Sequence, residues 1–318
     1  MSLAEQLQPA IILGAALLGL ALGQLAWLTK PAEALILPLL MIMLTGTFLQ
    51  VPLRQFGNIR QHGGTAMLSL ALNFIWTPLL AWLLGWLCLR DQPALWLGLI
   101  MLLVTPCTDW YLVFTGIARG NLPLSLALLP ANLGLQLLLL PIYLVLLAGV
   151  VVPLAWERVI LGAAPVLLTP LMAAIALRRA TRQQWAEAWL AQRVLPAIQA
   201  ICLALAVAAM FTAQGRVILQ NPTVFIQLLG PLLAFYAINL GLGLGLSRWL
   251  RLAYPDMASL CCTTLARNSP LALAIALAAF PDQPLIALTL AIIPLIELPV
   301  LGMASQVLLR LRAGWGSS

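Results

Sequence analysis

Two short polar segments interrupt apolar stretches of this chain, and their side chains are of types that bind solutes. They are Thr105-Pro106-Cys107-Thr108-Asp109 and Ala266-Arg267-Asn268-Ser269-Pro270. An ionisable side chain within apolar membrane sequence is costly and marks a candidate functional site. Together the segments supply a thiol, hydroxyls, an amide and both signs of charge. These groups are suited to binding a small polar or thiophilic solute.

Cys107 is the side chain with the most distinctive chemistry. Pro106 removes a backbone hydrogen bond and favours an extended residue before it, so a helix should open near Thr105. Cys107 and Thr108 then begin a half-helix, whose positive dipole end favours the thiolate, the nucleophilic and soft-metal-binding form. The alternative is a buried thiol beside an ordinary proline kink. The predicted substrate-binding residues are Cys107, Thr108, Asn268 and Ser269.

Three ionisable side chains are candidates for charge pairing and proton coupling: Asp109, Arg267 and Glu297. Buried charges in membranes usually pair, so Asp109 either forms a structural ion pair with Arg267 or takes part in substrate or proton binding. Glu297 lies between Pro294 and Pro299 in apolar sequence. Desolvation disfavours an ionised carboxylate, so Glu297 is a candidate proton carrier; the alternative is a protonated side chain that only donates a hydrogen bond. The fixed charge of Arg267 would oppose a sodium ion in the same cavity.

The composition places these segments in an integral membrane protein. Hydrophobic residues make up 63% of the chain and charged residues 8%, whereas about 25% charged is typical of soluble domains. Apolar windows of roughly 20 residues, enough for a helix to span a bilayer, recur along the chain. We therefore expect an all-α membrane protein with a single transporter domain, residues 1–318. The net charge of +7 does not indicate nucleic acid, because the basic residues lie in connections between spans.

Ten spans are predicted, in two related halves. They cover about 10–28, 34–53, 65–88, 93–118, 122–149, 158–177, 194–213, 223–247, 257–280 and 285–309. A shift of 161 residues lays Cys107 on Asn268 and Gln136 on Glu297. We therefore predict two five-span repeats, about 10–150 and 157–310, with the fourth and ninth helices broken by the polar segments. An odd number of spans per repeat makes the topology inverted, as in many secondary transporters.

The basic residues also predict the orientation. With both termini on one face, that face receives eleven Lys and Arg residues and the opposite face receives four. The excess of positive charge marks the cytoplasmic side, so we expect both termini in the cytoplasm.

The chain shows no sign of an enzyme or of a bound cofactor. His62, the only histidine, lies in the connection after the second span, so a Cys/His dyad with Cys107 is not expected. The five cysteines show neither a disulfide spacing nor a CxxC metal pattern. The expected partners are a small inorganic or organic solute and the lipid bilayer, and not nucleic acid.

Several motifs carry a resemblance to a known family. They are Ala118-Arg119-Gly120-Asn121, Arg267-Asn268-Ser269-Pro270-Leu271-Ala272-Leu273-Ala274, Pro106-Cys107-Thr108 and Glu297-Leu298-Pro299-Val300. By the first two, the chain resembles the bile acid/sodium symporter superfamily over nearly its whole length. By the last two, it resembles the Acr3 arsenite efflux branch of that superfamily.

The resemblance implies a ten-helix fold in which the broken fourth and ninth helices cross at mid-membrane. It also implies export of arsenite or antimonite in exchange for protons, across a plasma membrane that we expect to be a bacterial inner membrane. It implies that Cys107 is the arsenic ligand and Glu297 the proton-coupling group. Positions that bind sodium in the sodium-coupled branch are occupied here by Thr263, Arg267, Tyr111 and Leu112. The alternative is a sodium- or proton-coupled symporter of a small organic anion, with Arg267 holding a carboxylate.

Overall fold

Helices account for the regular structure of this chain. The computed structural model describes residues 3–50, 63–108, 110–148, 156–180, 194–220 and 222–315. Within these ranges every regular element is helical, and one isolated β-bridge is the only other pairing. The α-helices are α1 (Leu3–Leu22), α2 (Ala26–Gln50), α3 (Gly63–Ala71), α4 (Thr77–Cys88), α5 (Pro93–Leu103), α6 (Trp110–Ile117), α7 (Leu122–Tyr143), α8 (Trp156–Ala180), α9 (Leu195–Gln220), α10 (Pro222–Trp249), α11 (Tyr254–Leu265), α12 (Ser269–Ala279) and α13 (Pro284–Leu311). Short π-helical turns, Leu72–Trp76 and Leu144–Ala148, follow α3 and α7.

Six helices in the described part of the chain are long and apolar enough to cross a membrane. They are Ala26–Leu49, Gly63–Cys88, Leu122–Leu147, Ala197–Arg216, Pro222–Trp249 and Pro284–Gly314. Large apolar side chains such as Leu138 and Ile226 are exposed on them, which suits contact with lipid. The prediction of an all-α, multi-span membrane protein is confirmed. The arrangement of ten spans in two inverted repeats stays a prediction.

The chain divides into two compact units, of which the first comprises Met1–Val51, Ala155–Phe225 and Pro270–Ile292. In this unit α2 packs against α8 and α9, and α1 packs against α9. A Cβ atom at Gly19 of α1 would overlap the carbonyl of Ala208 in α9. Small residues that let helix backbones approach closely are typical of membrane helix packing.

The second unit contains the first polar segment and the second one up to Ser269. It comprises Pro52–Leu154, Ile226–Ser269 and Ile293–Ser318. Here α11 packs against α3, α6 and α7, and α4 packs against α5. Every buried side-chain nitrogen or oxygen that lacks a hydrogen-bond partner among the described residues also lies in this unit. The prediction of one transporter domain over residues 1–318 concerns the whole chain and stays a prediction.

The junction between α6 and α7 is tied to α11 by at least four hydrogen bonds, one of which runs from Nδ2 of Asn121 to Oδ1 of Asp256 over 2.7 Å. The Tyr254 hydroxyl donates to the carbonyl of Ala118 over 2.7 Å, and the N–H of Asn121 donates to the carbonyl of Pro255 over 2.9 Å. The Ser259 hydroxyl donates to the carbonyl of Asn121 over 2.9 Å. These bonds fix α11, whose C-terminal end leads into the second polar segment.

A glycine makes this junction possible. The chain turns at Arg119, whose φ of 54° lies in the left-handed region. At the next position, a Cβ on Gly120 would lie 2.8 Å from Cγ2 of Thr115 and 3.0 Å from Oγ of Ser259. Only glycine therefore lets the end of α6 approach α11 this closely.

Candidate functional site

The helices end at both polar segments. Helix α5 ends at Leu103 and α6 begins at Trp110, while α11 ends at Leu265 and α12 begins at Ser269. The backbone of Ala266 is extended, with φ −73° and ψ 136°. The described residues 105–108 and 266–268 are therefore non-helical, and membrane proteins tolerate such backbone only where it is buried in protein or lines a cavity.

Two backbone hydrogen bonds join the segments. The N–H of Cys107 donates to the carbonyl of Ala266 over 3.1 Å, and the N–H of Asn268 donates to the carbonyl of Thr105 over 2.8 Å. Bonds in these positions flank a non-hydrogen-bonded pair of antiparallel strands. The segments thus satisfy part of each other's backbone where the helical hydrogen bonds stop.

Pro106 and Arg267 are the residues opposite each other in this pair. In a non-hydrogen-bonded pair, neither backbone N–H points at the partner segment. Proline has no N–H, so at this position it leaves no donor unsatisfied. The N–H of Arg267 points away from the pair and donates to Oε1 of Glu297 over 2.6 Å. The local geometry therefore links Glu297 directly to the segment that pairs with Pro106.

The side chain of Arg267 is fully buried and is held by neutral oxygen atoms. Its Nη1 donates to the carbonyl of Leu103 over 3.0 Å, and its Nη2 donates to Oδ1 of Asn73 over 2.8 Å and to the carbonyl of Thr264. The guanidinium carbon lies 5.4 Å from the ring centroid of Phe235, within the range of a cation–π interaction. A rigid, planar guanidinium can bind several fixed oxygens at once.

The predicted pairing of Arg267 with Asp109 stays a prediction, because Asp109 lies outside the described residues. His62 also lies outside them. The Glu297 carboxyl, 2% exposed, accepts the backbone N–H of Arg267 and lies within electrostatic range of its guanidinium. Nε of Arg267 has no partner among the described residues.

Tyr236 of α10 completes a buried cluster. Its hydroxyl has no hydrogen-bond partner among the described residues and lies within electrostatic range of Cys107, Arg267 and Glu297. We call these four residues the central cluster. It combines a thiol, a phenol, a guanidinium and a carboxyl, so it can coordinate a soft atom, donate hydrogen bonds and carry a proton.

The remaining predicted substrate-binding residues are buried beside the pair. Sγ of Cys107 accepts the N–H of Trp110 at the start of α6, over 3.3 Å. Nδ2 of Asn268 donates to Oγ1 of Thr108 over a long 3.4 Å. Ser269 is the first residue of α12. The structure therefore brings Cys107, Thr108 and Asn268 together with Arg267 and Glu297.

Sequence reasoning missed three residues of this site. Asn73 and Tyr236 are polar residues in apolar helices, and Phe235 precedes the tyrosine. A polar residue in a membrane span was the available signal for the first two. That signal does not say which face of a helix a residue occupies, so it did not connect them to Arg267.

Comparison with known proteins finds similarity to transporters. The Sodium Bile acid symporter family matches residues 37–221, a range that includes Cys107 but neither Arg267 nor Glu297. The arsenical-resistance protein Acr3 of Corynebacterium glutamicum is 29% identical over 247 residues, 73% of this chain and 66% of that protein. An uncharacterized transporter of Synechocystis sp. is 27% identical over 219 residues, 66% of this chain and 56% of that protein. The matches thus span less than two thirds of each relative's own length.

Proposed function

Because the chain belongs to the Sodium Bile acid symporter family, we propose that it is a secondary active transporter that exports arsenite or antimonite in exchange for protons. The name of one relative, arsenical-resistance protein, supports the choice of solute. The observation that carries the proposal is the pairing of the two polar segments, because it places the Cys107 thiol in one buried cluster with Arg267 and Glu297.

The proposed architecture has ten membrane helices in two inverted five-helix repeats. Both polar segments interrupt spans of this arrangement, the fourth and the ninth, and cross at mid-membrane. The protein lies in a plasma membrane, a bacterial inner membrane, with both termini in the cytoplasm. Paired interruptions of apolar helices are the usual location of the substrate site in such repeats.

Cys107 is the proposed arsenic ligand, because trivalent arsenic prefers soft thiolate ligands. In the binding step a sulfur–arsenic bond forms and one arsenic–oxygen bond breaks. The thiol proton leaves with the displaced hydroxyl as water, and attack by water reverses the step on release. Among the described residues no group of three His, Cys, Asp or Glu side chains is arranged to hold a metal ion. One thiol displaces one hydroxyl, so the solute keeps two hydroxyl groups while bound.

Glu297 is the proposed proton carrier, and its contact with Arg267 provides a coupling route. An ionised carboxylate accepts the backbone N–H of Arg267 strongly, whereas a protonated carboxyl accepts it less well and can itself donate. Gain or loss of a proton therefore changes how tightly the second segment is held. That segment carries the carbonyl of Ala266, which accepts the N–H of Cys107. Asp109 is a second candidate for the proton pathway.

Import of an organic anion, with Arg267 as the carboxylate clamp, is the alternative. A bidentate clamp needs two guanidinium N–H groups directed at the same carboxylate. Both terminal nitrogens of Arg267 already donate to Leu103, Asn73 and Thr264. This geometry favours a positioning role for Arg267 over direct binding of an anion. The family and its named relatives indicate a transporter rather than an enzyme.

The proposal is tested by arsenite resistance in sensitive cells. Expression of the protein should protect them, and Cys107→Ser should remove the protection, because a hydroxyl is a poor ligand for a thiophilic atom. Cys202→Ser is the matched control, since Cys202 is also a buried thiol but lies in the other compact unit. Full resistance in the Cys107→Ser variant, at equal expression, would rule out the proposed thiol role.

A further inference from the structure

A row of buried polar side chains on α7 has no hydrogen-bond partner among the described residues. Ser125, Asn132 and Gln136 are fully buried, and the hydroxyl and both ends of the two carboxamides are unpartnered. At 3.6 residues per turn, positions seven and eleven residues apart lie within about 40° of each other. The three side chains therefore share one helix face, which we call the α7 polar row. Groups of this kind are rare in native interiors, and each needs a partner, which a bound solute or a water molecule can supply.

A second row of the same kind follows α3. Ser69, Asn73 and Thr77 are fully buried at intervals of four residues. Oγ of Ser69, Nδ2 of Asn73 and Oγ1 of Thr77 have no partner among the described residues. Asn73 lies in the π-helical turn Leu72–Trp76, and π-helical turns within α-helices are frequent at functional sites. We call these residues the α3 polar row.

Two contacts between α3 with its π-helical turn and α7 place the two rows at similar heights along these helices. Ala66 of α3 packs in one cluster with Leu124 and Leu128 of α7. Further along both helical segments, the Tyr143 hydroxyl donates to the carbonyl of Phe74. Most of the α3 polar row lies between the first contact and the second, and so do the two carboxamides of the α7 polar row. The two rows therefore lie at neighbouring levels of two helices that contact each other.

We infer that the two polar rows form a binding site for a neutral polyhydroxy solute, which under the proposed function is undissociated arsenous acid. The inference rests on the proposed function. Carboxamides and hydroxyls both donate and accept hydrogen bonds, as the hydroxyl groups of such a solute do. The rows contain no charged side chain, so they favour a neutral molecule over an ion. Asn73 joins this site to the central cluster, because its Oδ1 accepts from Arg267.

The site complements the chemistry at Cys107. A single thiol recognises the arsenic atom, while recognition of the hydroxyl groups needs hydrogen-bonding residues. A site that is built to bind hydroxyl groups also rejects analogues that lack them, because its buried polar groups are then left unpaired. The polar rows are therefore expected to set both the affinity for arsenous acid and the preference for it over its methylated relatives.

The first test is arsenite transport by the full-length protein carrying Asn132→Leu with Gln136→Leu. We expect its KM to rise about tenfold or more, because several hydrogen bonds to the solute are lost. Its thermal stability without arsenite should be unchanged or higher, because buried unpartnered groups are replaced by apolar ones. The control is Gln227→Leu with Gln306→Leu, which makes the same kind of change at two exposed positions and should leave KM unchanged.

The outcomes separate this inference from the proposed function. Failure of the unmodified protein to transport arsenite would overturn the proposed function and the inference with it. Arsenite transport by both proteins with KM values within about twofold would overturn the inference alone. If the double variant does not fold, the unmodified protein still provides a test. It should transport trihydroxy arsenous acid at least about tenfold better than its dihydroxy monomethyl analogue, and equal transport of the two would contradict the hydroxyl-binding site.

Discussion

Arg267 uses its backbone and its side chain for different partners. The guanidinium is held by three neutral oxygens, including Oδ1 of Asn73, while the backbone N–H donates to the Glu297 carboxyl. Glu297 is therefore not needed to hold the guanidinium in place. A proton can join or leave the carboxyl while the buried cation keeps its hydrogen bonds. This separation suits a residue that changes protonation during transport.

Replacement of Glu297 should separate its structural role from its proton role. In Glu297→Gln the carboxamide oxygen still accepts the N–H of Arg267, so we expect a folded protein with at least about a hundredfold less exchange, because the proton carrier is missing. In Glu297→Leu the N–H loses its acceptor, which should lower the free energy of unfolding by about 1–3 kcal/mol as well. Thermal unfolding in detergent and transport in vesicles measure the two effects. Normal proton-coupled exchange by Glu297→Gln would contradict the assignment.

The sequence was sufficient to select Cys107, Arg267 and Glu297 as candidates, since a polar or charged residue in an apolar span stands out. It did not reveal the partners of Arg267. A guanidinium can reach several turns away, and whether Asn73 or Asp109 lies within its reach depends on helix packing. From charge alone Asp109 was one candidate partner, and that residue lies outside the described part of the chain. Among the described residues, neutral oxygens hold the Arg267 guanidinium.

At the scale of elements, the pairing of two short segments replaces helical hydrogen bonds. Pro106 occupies the one type of position in such a pair where a missing N–H leaves nothing unsatisfied. The prolines in the sequence indicated where helices would end. They did not indicate that the two segments would pair with Pro106 opposite Arg267, because that register depends on contacts between residues far apart in the chain.

Replacement of Pro106 by alanine tests this account of the pair. Pro106→Ala adds a buried N–H that points away from the partner segment, and we expect the free energy of unfolding to fall by about 1–3 kcal/mol. The control is Pro93→Ala at the start of α5, where the residue is exposed and the new N–H meets solvent; it should change stability by less than about 1 kcal/mol. Each variant replaces one proline by alanine, so the conformational entropy of the unfolded chain rises by a similar amount in both. Equal destabilisation of the two in detergent would argue against the proposed pair geometry.

At the scale of the whole molecule, the helical membrane character and the family were predictable, and both are confirmed. The helical membrane character could be predicted from the composition and the apolar windows, because both signals extend over the entire chain. The ten spans and the inverted repeats stay predictions. Ten membrane spans require that shorter apolar helices, such as Pro93–Leu103 and Ser269–Ala279, combine with neighbouring helices into full spans.

The predicted orientation can be tested with epitope tags. A tag at the C-terminus should be digested by protease in everted vesicles and protected in intact cells, because the positive charges place both termini in the cytoplasm. A tag inserted after Gln92, between α4 and α5, is the control and should show the opposite pattern. The same pattern for both tags would contradict the predicted topology.

The most direct measurement of the central claim is arsenite accumulation in everted membrane vesicles with an imposed pH gradient. Vesicles that contain the protein and have an acidic interior should accumulate arsenite without sodium. A protonophore should abolish the accumulation, and vesicles carrying Cys107→Ser should match vesicles that lack the protein. Accumulation that requires a sodium gradient, or that persists unchanged in Cys107→Ser, would contradict proton-coupled arsenite export through Cys107.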